Sequence, residues 1–118
     1  MRDHKKLRAF ELADQVVMEV YRTSRAFPQE ELFGLTSQVR RAAVSTASNI
    51  VEGCARYSEA DFLRFLDMSY GSSKEVEYQL SIAERLGYSH ELAEVRTMCD
   101  ETAKVLNGLI RSIRSPKD

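Results

Sequence analysis

The sequence has few of the residues that interrupt helices or cross-link chains. Only two prolines and five glycines occur in 118 residues. Long uninterrupted segments remain, which favours helices over many short strands joined by turns. The two cysteines, Cys54 and Cys99, stand alone without a CxxC pair, so no secreted disulfide framework is visible. We therefore expect a chain that resides in the reducing cytoplasm.

Signals for membrane insertion, export and catalysis are also missing. No window approaches the ~20 apolar residues that a membrane-spanning helix needs, and the N-terminal residues lack the apolar core and cleavage site of a signal peptide. The sequence contains no P-loop, nucleophile elbow, GxGxxG or HExxH pattern. It also has no ExxH pair that would project metal ligands into a helical bundle. We expect no membrane partner, no metal, no cofactor and no enzymatic activity.

The charges are unevenly distributed, although the formal net charge is only −1. Both chain ends are basic and the middle of the chain is acidic. Such ends are ordinarily solvated, and the alternative is a surface for a polyanion such as RNA. The candidate nucleic-acid-binding residues are Arg2, Lys5, Lys6, Arg8, Arg111, Arg114 and Lys117.

The hydrophobic spacing predicts four helices in one domain that spans residues 1–118. The helices cover about 7–26, 35–55, 59–86 and 90–114, with apolar residues at three- and four-residue steps. Short connections predict an all-α, antiparallel up-down-up-down bundle with roughly 20° crossings. This topology places both chain ends and Arg56 at one pole, with Arg40 and Arg41 towards the other.

The second predicted helix is built mostly from small residues between Gly34 and Ser58. In an antiparallel hairpin it faces the small middle of the third helix, which includes Ser69 and Ser73. Two small surfaces allow helix axes to approach more closely than the usual 8–10 Å. We interpret the small residues as the place of closest helix approach, and the alternative is a ligand slot.

Polar residues on the same helix form a candidate network. One interpretation is a hydrogen-bonded and ion-paired network that fixes the register of neighbouring helices, since buried polar groups are usually paired. The alternative is a polar binding surface near a subunit boundary. The residues are Arg41, Ser45, Ser48, Asn49 and Glu52.

Apolar residues flank the inner faces of the first and third helices. This makes the apolar surface wider than one helix contact requires, which indicates a second contact. We expect Leu12, Val16, Leu63 and Tyr70 to meet neighbouring subunits in an oligomer.

Two long runs resemble the bacterial four-helix-bundle family named after the 23S ribosomal RNA intervening-sequence protein. They are FPQEELFGLTSQVRRAAVSTASNIVEG and YSEADFLRFLDMSYGSSKEVEYQLSIAERLGY, and the match runs from roughly Phe10 to Leu109. The resemblance implies a left-handed four-helix bundle that assembles as a ring of five subunits, with no established enzymatic activity. It therefore implies a homo-oligomeric scaffold or interaction protein.

A related branch of that family comprises the accessory proteins of diversity-generating retroelements, which resemble this chain in fold but are strongly basic and bind nucleic acid. This chain has a formal charge of −1 and an acidic middle. Nucleic-acid binding through the basic ends is accordingly the alternative function.

Overall fold

Four helices form most of residues 1–115, which are the residues that the computed structural model describes. Helix α1 spans Arg8–Ser24, α2 spans Leu35–Cys54, α3 spans Glu59–Arg85 and α4 spans Leu92–Arg114. Single turns of 3-10 helix at His4–Lys6 and Gln29–Glu31 precede α1 and α2. No strand occurs within the described part of the chain. The fold is all-α, as predicted.

Each helix packs against the next one along the chain, and α4 also packs against α1. The resulting globule measures 51 × 22 × 19 Å. Its core consists of two apolar clusters, one that includes Val39 and Val95 and one that includes Ile50, Phe62 and Leu106. The predicted single globule of four helices is confirmed, whereas the up-down course and the left-handed twist stay predictions.

The small residues of α2 and α3 lie where these two helices meet. The Ser69 hydroxyl donates a hydrogen bond to the carbonyl oxygen of Thr46 across 2.6 Å. A Cβ atom on Gly53 would lie 2.9 Å from the Cβ of Phe65, which is closer than carbon atoms approach. Because the Ser69 hydroxyl reaches the backbone of α2 directly, α2 and α3 approach each other closely at this point, as expected from the sequence.

Two helix ends differ from the expected positions by two residues. Helix α1 ends at Ser24, since the N–H of Phe27 bonds to the Ser24 carbonyl three residues back instead of four (3.1 Å). Helix α4 begins at Leu92, because the Ser89 hydroxyl accepts the N–H of Glu91 (3.2 Å) and holds this segment in a turn. Local hydrogen bonds of this kind compete with the helical pattern.

Glu31 connects the segment before α2 with the segment before α4. Its Oε1 accepts the N–H of Leu35 at 3.0 Å, and its Oε2 accepts the hydroxyl of Tyr88 at 2.8 Å. The bond from the Leu35 N–H, followed by that from Tyr88, holds the pKa of the Glu31 carboxyl below its ordinary value. The same pairing raises the pKa of the Tyr88 phenol. The carboxylate thus serves as the cap of α2, which has no capping hydroxyl.

Candidate interaction surface

A shallow groove runs along the molecule between α1 and α2. Several of the α2 residues that line it have short side chains, such as Ser45, Ala47 and Ser48, and Glu75 of α3 also borders it. The groove has two recesses of about 990 Å³ and about 470 Å³, and Val44 borders both of them. We call this surface the α1–α2 face and define it by Phe10, Asp14, Val17 and Tyr21 on α1 and by Arg41, Val44, Ser48 and Glu52 on α2.

Large apolar side chains on or beside the α1–α2 face reach solvent. Val44 is 39% exposed and Tyr21 is 40% exposed, while Phe33, in the connection before α2, is 93% exposed. Full burial of such a side chain contributes roughly 1.5–3 kcal/mol of stabilising free energy, which is lost when the side chain stays in water. Contiguous exposed apolar surface is typical of interaction sites.

The charged groups of the α1–α2 face are separated along the groove rather than paired. Arg41 near the start of α2 and Asp14 on α1 form no ion pair within residues 1–115. Glu52 near the end of α2 has only a long contact of 3.7 Å with Arg56. Arg41 lies in the recess that Glu75 of α3 also lines, and Glu52 lies in the other recess.

Arg40 is the exception on this side of α2, because its side chain points towards α1. Its Nε donates to the Ser24 hydroxyl at 2.8 Å, and its guanidinium lies 4.8 Å from the centre of the Tyr21 ring. These contacts attach the start of α2 to the end of α1. The position of Arg40 is thus structural, whereas its neighbour Arg41 is exposed.

The opposite long side, formed by α3 and α4, neutralises its charges locally. Its ion pairs are exposed and close in space, so each contributes about 0–1 kcal/mol and leaves the surface hydrated. We call this surface the α3–α4 face and define it by the pairs Lys74–Glu77 (3.4 Å), Glu84–Arg96 (3.0 Å) and Asp100–Lys104 (3.0 Å).

The predicted polar network forms in part. The Nδ2 of Asn49 donates to the carbonyl oxygen and to the hydroxyl of Ser45, at 2.9 and 3.0 Å. The Ser45 hydroxyl lies 2.9 Å from the hydroxyl of Ser72 on α3. Ser45, Asn49 and Ser72 thus link α2 to α3, which is the arrangement expected of a network that fixes the register of the two helices.

The other three predicted members do not join this network. Arg41 and Ser48 are exposed, and Glu52 contacts Arg56 on its own helix. Arg41, Ser48 and Glu52 lie on the side of α2 that borders the groove, whereas Ser45 lies on the side towards α3. They belong to the α1–α2 face instead.

Two of the predicted oligomer contacts are buried within the chain. Leu12 and Val16 are only 7% and 3% exposed, and Val16 belongs to the core cluster that includes Val39 and Val95. Leu63 and Tyr70 are half-buried against the core cluster that includes Ile50 and Phe62, and they keep part of their surface. Only this second pair has surface left to offer to another molecule.

Two of the predicted nucleic-acid-binding residues are already paired with acids. Arg8 lies 2.6 Å from a carboxylate oxygen of Glu101, and Arg114 contacts the carboxylate of Asp67. Each pair lowers the positive potential that a phosphate group would meet.

The N-terminal segment packs against the end of α2 and the start of α3. The backbone N–H of Arg2 donates to the carbonyl oxygen of Cys54 at 2.7 Å, and its guanidinium lies 4.0 Å from the centre of the Phe62 ring. Arg2 therefore has a structural contact of its own. Lys5, Lys6 and Arg111 are exposed and form no ion pair among residues 1–115. Lys117 lies outside the described residues.

The sequence interpretation missed Phe33, Val44 and Asp14. A signal for Val44 was present, since it is an apolar residue among the polar outward positions of α2. Phe33 lies outside any periodic segment, so no spacing indicated its exposure. The position of Asp14 beside Ser48 follows from the packing of α1 on α2, which the sequence does not contain.

Both cysteines are buried thiols, each 1% exposed. Burial raises the pKa of the Cys99 thiol to about 12 and also raises the pKa of Cys54. Among residues 1–115, no three His, Cys, Asp or Glu side chains are arranged to hold a metal ion. Within the same range, none of the helices has the length and apolar character needed to cross a membrane.

Comparison with known proteins identifies the fold and the family. No curated protein matches the chain significantly. A protein of unknown function from the S23 ribosomal protein family of Bacteroides thetaiotaomicron VPI-5482 has a similar structure, with a TM-score of 0.80 and 21% identity over 87% of this chain and 98% of that chain. At this identity the likeness shows the fold alone. The model of the 23S rRNA-intervening sequence protein family matches residues 5–108. The chain therefore belongs to the 23S rRNA-intervening sequence protein family, as its sequence predicts.

Proposed function

We propose that this protein is a non-enzymatic, homo-oligomeric scaffold or interaction protein of the cytoplasm. The observation that carries the proposal is the α1–α2 face, where Tyr21, Val44 and the adjacent Phe33 expose apolar surface. Exposed apolar surface is costly in a chain that stays alone, and a partner that covers it recovers the free energy of burial. The partner proposed here is another copy of the same chain.

The arrangement proposed for the subunits is a ring of five, which is what the resemblance stated for the sequence implies. A ring requires two different patches on each subunit, because each copy contacts the next in the same sense. Leu63 and Tyr70 on α3, which keep part of their surface, are the candidate contacts of one patch, and the α1–α2 face is the candidate for the other.

The proposal includes an antiparallel up-down-up-down course with a left-handed twist. Two ion pairs support the antiparallel course. Arg22 near the end of α1 contacts Glu91 just before α4 (3.0 Å), and Arg114 at the end of α4 contacts Asp67 in the first half of α3. The first pair joins the end of α1 to the start of α4, and the second joins the end of α4 to the first half of α3, which is the arrangement that antiparallel neighbours give.

Light scattering on the full chain at micromolar concentration tests the proposal. The expected mass is several times the 13.5 kDa of one chain, and five times that mass for the ring. Native mass spectrometry on the same sample gives the number of subunits. A mass of one chain across the micromolar range would overturn the proposal.

Nucleic-acid binding at the pole with the chain ends is a second candidate function. Lys5, Lys6 and Arg111 are exposed and form no ion pair among residues 1–115. Tyr57, in the connection after α2, is 88% exposed. The bond from Arg2 to Cys54 holds the N-terminal segment against the end of α2, the helix that Tyr57 follows. Exposed lysines and exposed aromatic rings are the groups with which proteins bind single-stranded nucleic acid.

Fluorescence anisotropy with a labelled single-stranded RNA at ~50 mM salt tests this second candidate. Binding should weaken steeply with salt, because phosphate neutralisation releases counterions. The double substitution Lys5→Glu and Lys6→Glu should abolish it, while Lys104→Glu on the α3–α4 face should leave it unchanged. An RNA that does not bind the unmodified chain at low salt would eliminate this function.

A further inference from the structure

Residues 1–6 lie against the end of α2 and the start of α3, and we call this segment the N-terminal strap. The backbone N–H of Arg2 donates to the carbonyl oxygen of Cys54 at 2.7 Å. The Arg2 guanidinium lies 4.0 Å from the centre of the Phe62 ring. The ring of His4 meets the ring of Phe10 edge-on, with 4.7 Å between their centres. The strap is therefore attached near its start by Arg2 and in its last turn by His4.

The remaining hydrogen bonds of the strap are local. The Asp3 carboxylate accepts the N–H of Lys5 at 3.0 Å, and the Asp3 carbonyl oxygen accepts the N–H of Lys6 at 3.1 Å. The N–H of Leu7 donates to the carbonyl oxygen of His4 at 3.0 Å. These bonds shape the turn at His4–Lys6, but none of them joins the strap to α2 or α3.

The strap buries little of its own surface. Residues 1–3 are exposed, and the turn His4–Lys6 contains no buried residue. Beneath it, Cys54 and Phe62 are 1% and 0% exposed. A segment with few buried apolar groups opens at a lower free-energy cost than the core of the same protein. The strap can therefore leave its position while the helices under it stay folded.

The two cysteines lie under different kinds of cover. Burial raises the pKa of the Cys54 thiol, while the charge of Arg2 lowers it and that of Asp3 raises it, so both strap charges lie near this thiol. Burial also raises the pKa of Cys99 to about 12, and the charges that act on it belong to residues of α3 and α4. Cys99 is thus covered by helices, whereas Cys54 has the strap beside it.

We propose that the N-terminal strap is a lid that opens while the four helices stay folded, and that its opening gives small molecules access to the Cys54 thiol and the Phe62 ring. The strap then sets the reactivity of Cys54, whereas Cys99 is reached only when helices separate. This inference goes beyond the proposed function, because it concerns each chain by itself and does not depend on self-association.

The rate at which N-ethylmaleimide modifies each native cysteine tests the proposal on the full chain. Peptide mass spectrometry assigns the modification to Cys54 or Cys99, and Ser112→Cys on the exposed side of α4 gives the rate of an uncovered thiol. Cys54 should react more slowly than Ser112→Cys and at least tenfold faster than Cys99, because opening of the strap requires less free energy than separation of helices. Equal rates for the two native cysteines would overturn the proposal, since one unfolding event would then expose both.

Loosening the strap should act on Cys54 alone. Arg2→Ala removes the cation from the Phe62 ring and should raise the Cys54 rate roughly fivefold to tenfold, with no change at Cys99. The rate reports the population of the open form when opening and closing are fast relative to modification. The direction is diagnostic: the Arg2 charge lowers the pKa of Cys54, so its loss alone would slow the reaction. A Cys54 rate that does not rise in Arg2→Ala would contradict the lid.

Two variants serve as controls for the position of the lid. Lys6→Ala changes an exposed side chain of the same strap and should leave the Cys54 rate unchanged. Ser58→Ala removes the cap of α3, where the Ser58 hydroxyl accepts the N–H of Asp61 at 3.1 Å, and so loosens the start of α3 without touching the strap. It should also leave the Cys54 rate unchanged. If Ser58→Ala raised this rate as much as Arg2→Ala, the start of α3 would be the cover and the proposal would be overturned.

Discussion

The α1–α2 face and the α3–α4 face differ in how their charged side chains are arranged. The α3–α4 face pairs neighbouring charges, as Lys104 does with Asp100 at 3.0 Å. The α1–α2 face keeps Arg41 towards one end and Glu52 towards the other, with the exposed Val44 between them. A surface whose charges are already neutralised has little to offer a partner, whereas separated charges around an apolar centre gain from one.

The comparison also shows how one helix serves two purposes. The inner side of α2 contributes Val39 and Ile50 to the core, both with no exposed surface. Its outer side presents Val44 and Ser48 to the groove. The inner side therefore determines the stability of the fold, and the outer side determines what the fold can contact.

Core truncation on α2 should produce the largest effect. Ile50→Ala leaves a cavity in the core cluster that includes Phe62 and Leu106 and should lower the free energy of unfolding by about 2–5 kcal/mol. Val51→Ala, one residue further and half-buried at the groove, should cost less than about 1 kcal/mol. Urea unfolding at one protein concentration measures both. Equal losses for the two variants would contradict the division of α2 into an inner and an outer side.

A charge at the centre of the α1–α2 face should act on association and not on folding. Val44→Glu introduces a carboxylate into the apolar centre and should weaken self-association about a hundredfold, or roughly 2.7 kcal/mol. Thr97→Glu places the same charge on exposed surface near the α3–α4 face and should have no effect. Sedimentation velocity gives the association constants. If both variants associate like the unmodified chain, the α1–α2 face is not the contact.

Acid should weaken the segment that presents Phe33 to the groove. The folded-state pKa of Glu31 is lowered by its bonds from Leu35 and Tyr88. A lowered pKa stabilises the fold above the unfolded-state pKa of about 4.5, and this contribution is lost as the pH falls through the folded-state value. Thermal unfolding between pH 6 and pH 3 should therefore depend less on pH in Glu31→Gln than in the unmodified chain.

Glu30→Gln provides the matched control for that experiment. Glu30 is exposed and adjacent in sequence, and it caps no helix. Its substitution should leave the pH dependence of the melting temperature unchanged. Parallel acid curves for Glu31→Gln and the unmodified chain would show that the carboxylate does not act as the cap of α2.

Breaking an ion pair on the α3–α4 face should produce the smallest effect. Lys104→Ala removes an exposed pair with Asp100 and should change the free energy of unfolding by no more than about 0.5 kcal/mol. Self-association should not change. A clear loss of association in this variant would mean that the α3–α4 face contacts another copy.

The sequence predicted most of the fold because helix spacing is a local property. Ile50 and Phe62 follow three- and four-residue steps, and both have no exposed surface. Ser45 and Asn49 were predicted to join a network, and their partner on α3 is Ser72. In each case the pattern along one helix was enough.

The site was less predictable because it depends on which helix covers which side. Spacing alone did not indicate that Leu12 and Val16 are buried within the chain, so these residues were assigned to an interface although they have little exposed surface. The partners of Arg8 and Arg114 come from distant parts of the chain. Surface pairing of this kind follows from tertiary structure, which no single helix pattern contains.

The accessibility of one introduced thiol tests the central claim most directly. In Ser48→Cys, the rate of modification by a small maleimide reports whether the α1–α2 face is covered. The account predicts that this rate falls at least tenfold as the protein concentration rises from nanomolar to micromolar, while the rate for Ser112→Cys stays constant. A Ser48→Cys rate that does not change over this range would contradict the claim that copies of the chain meet through this face.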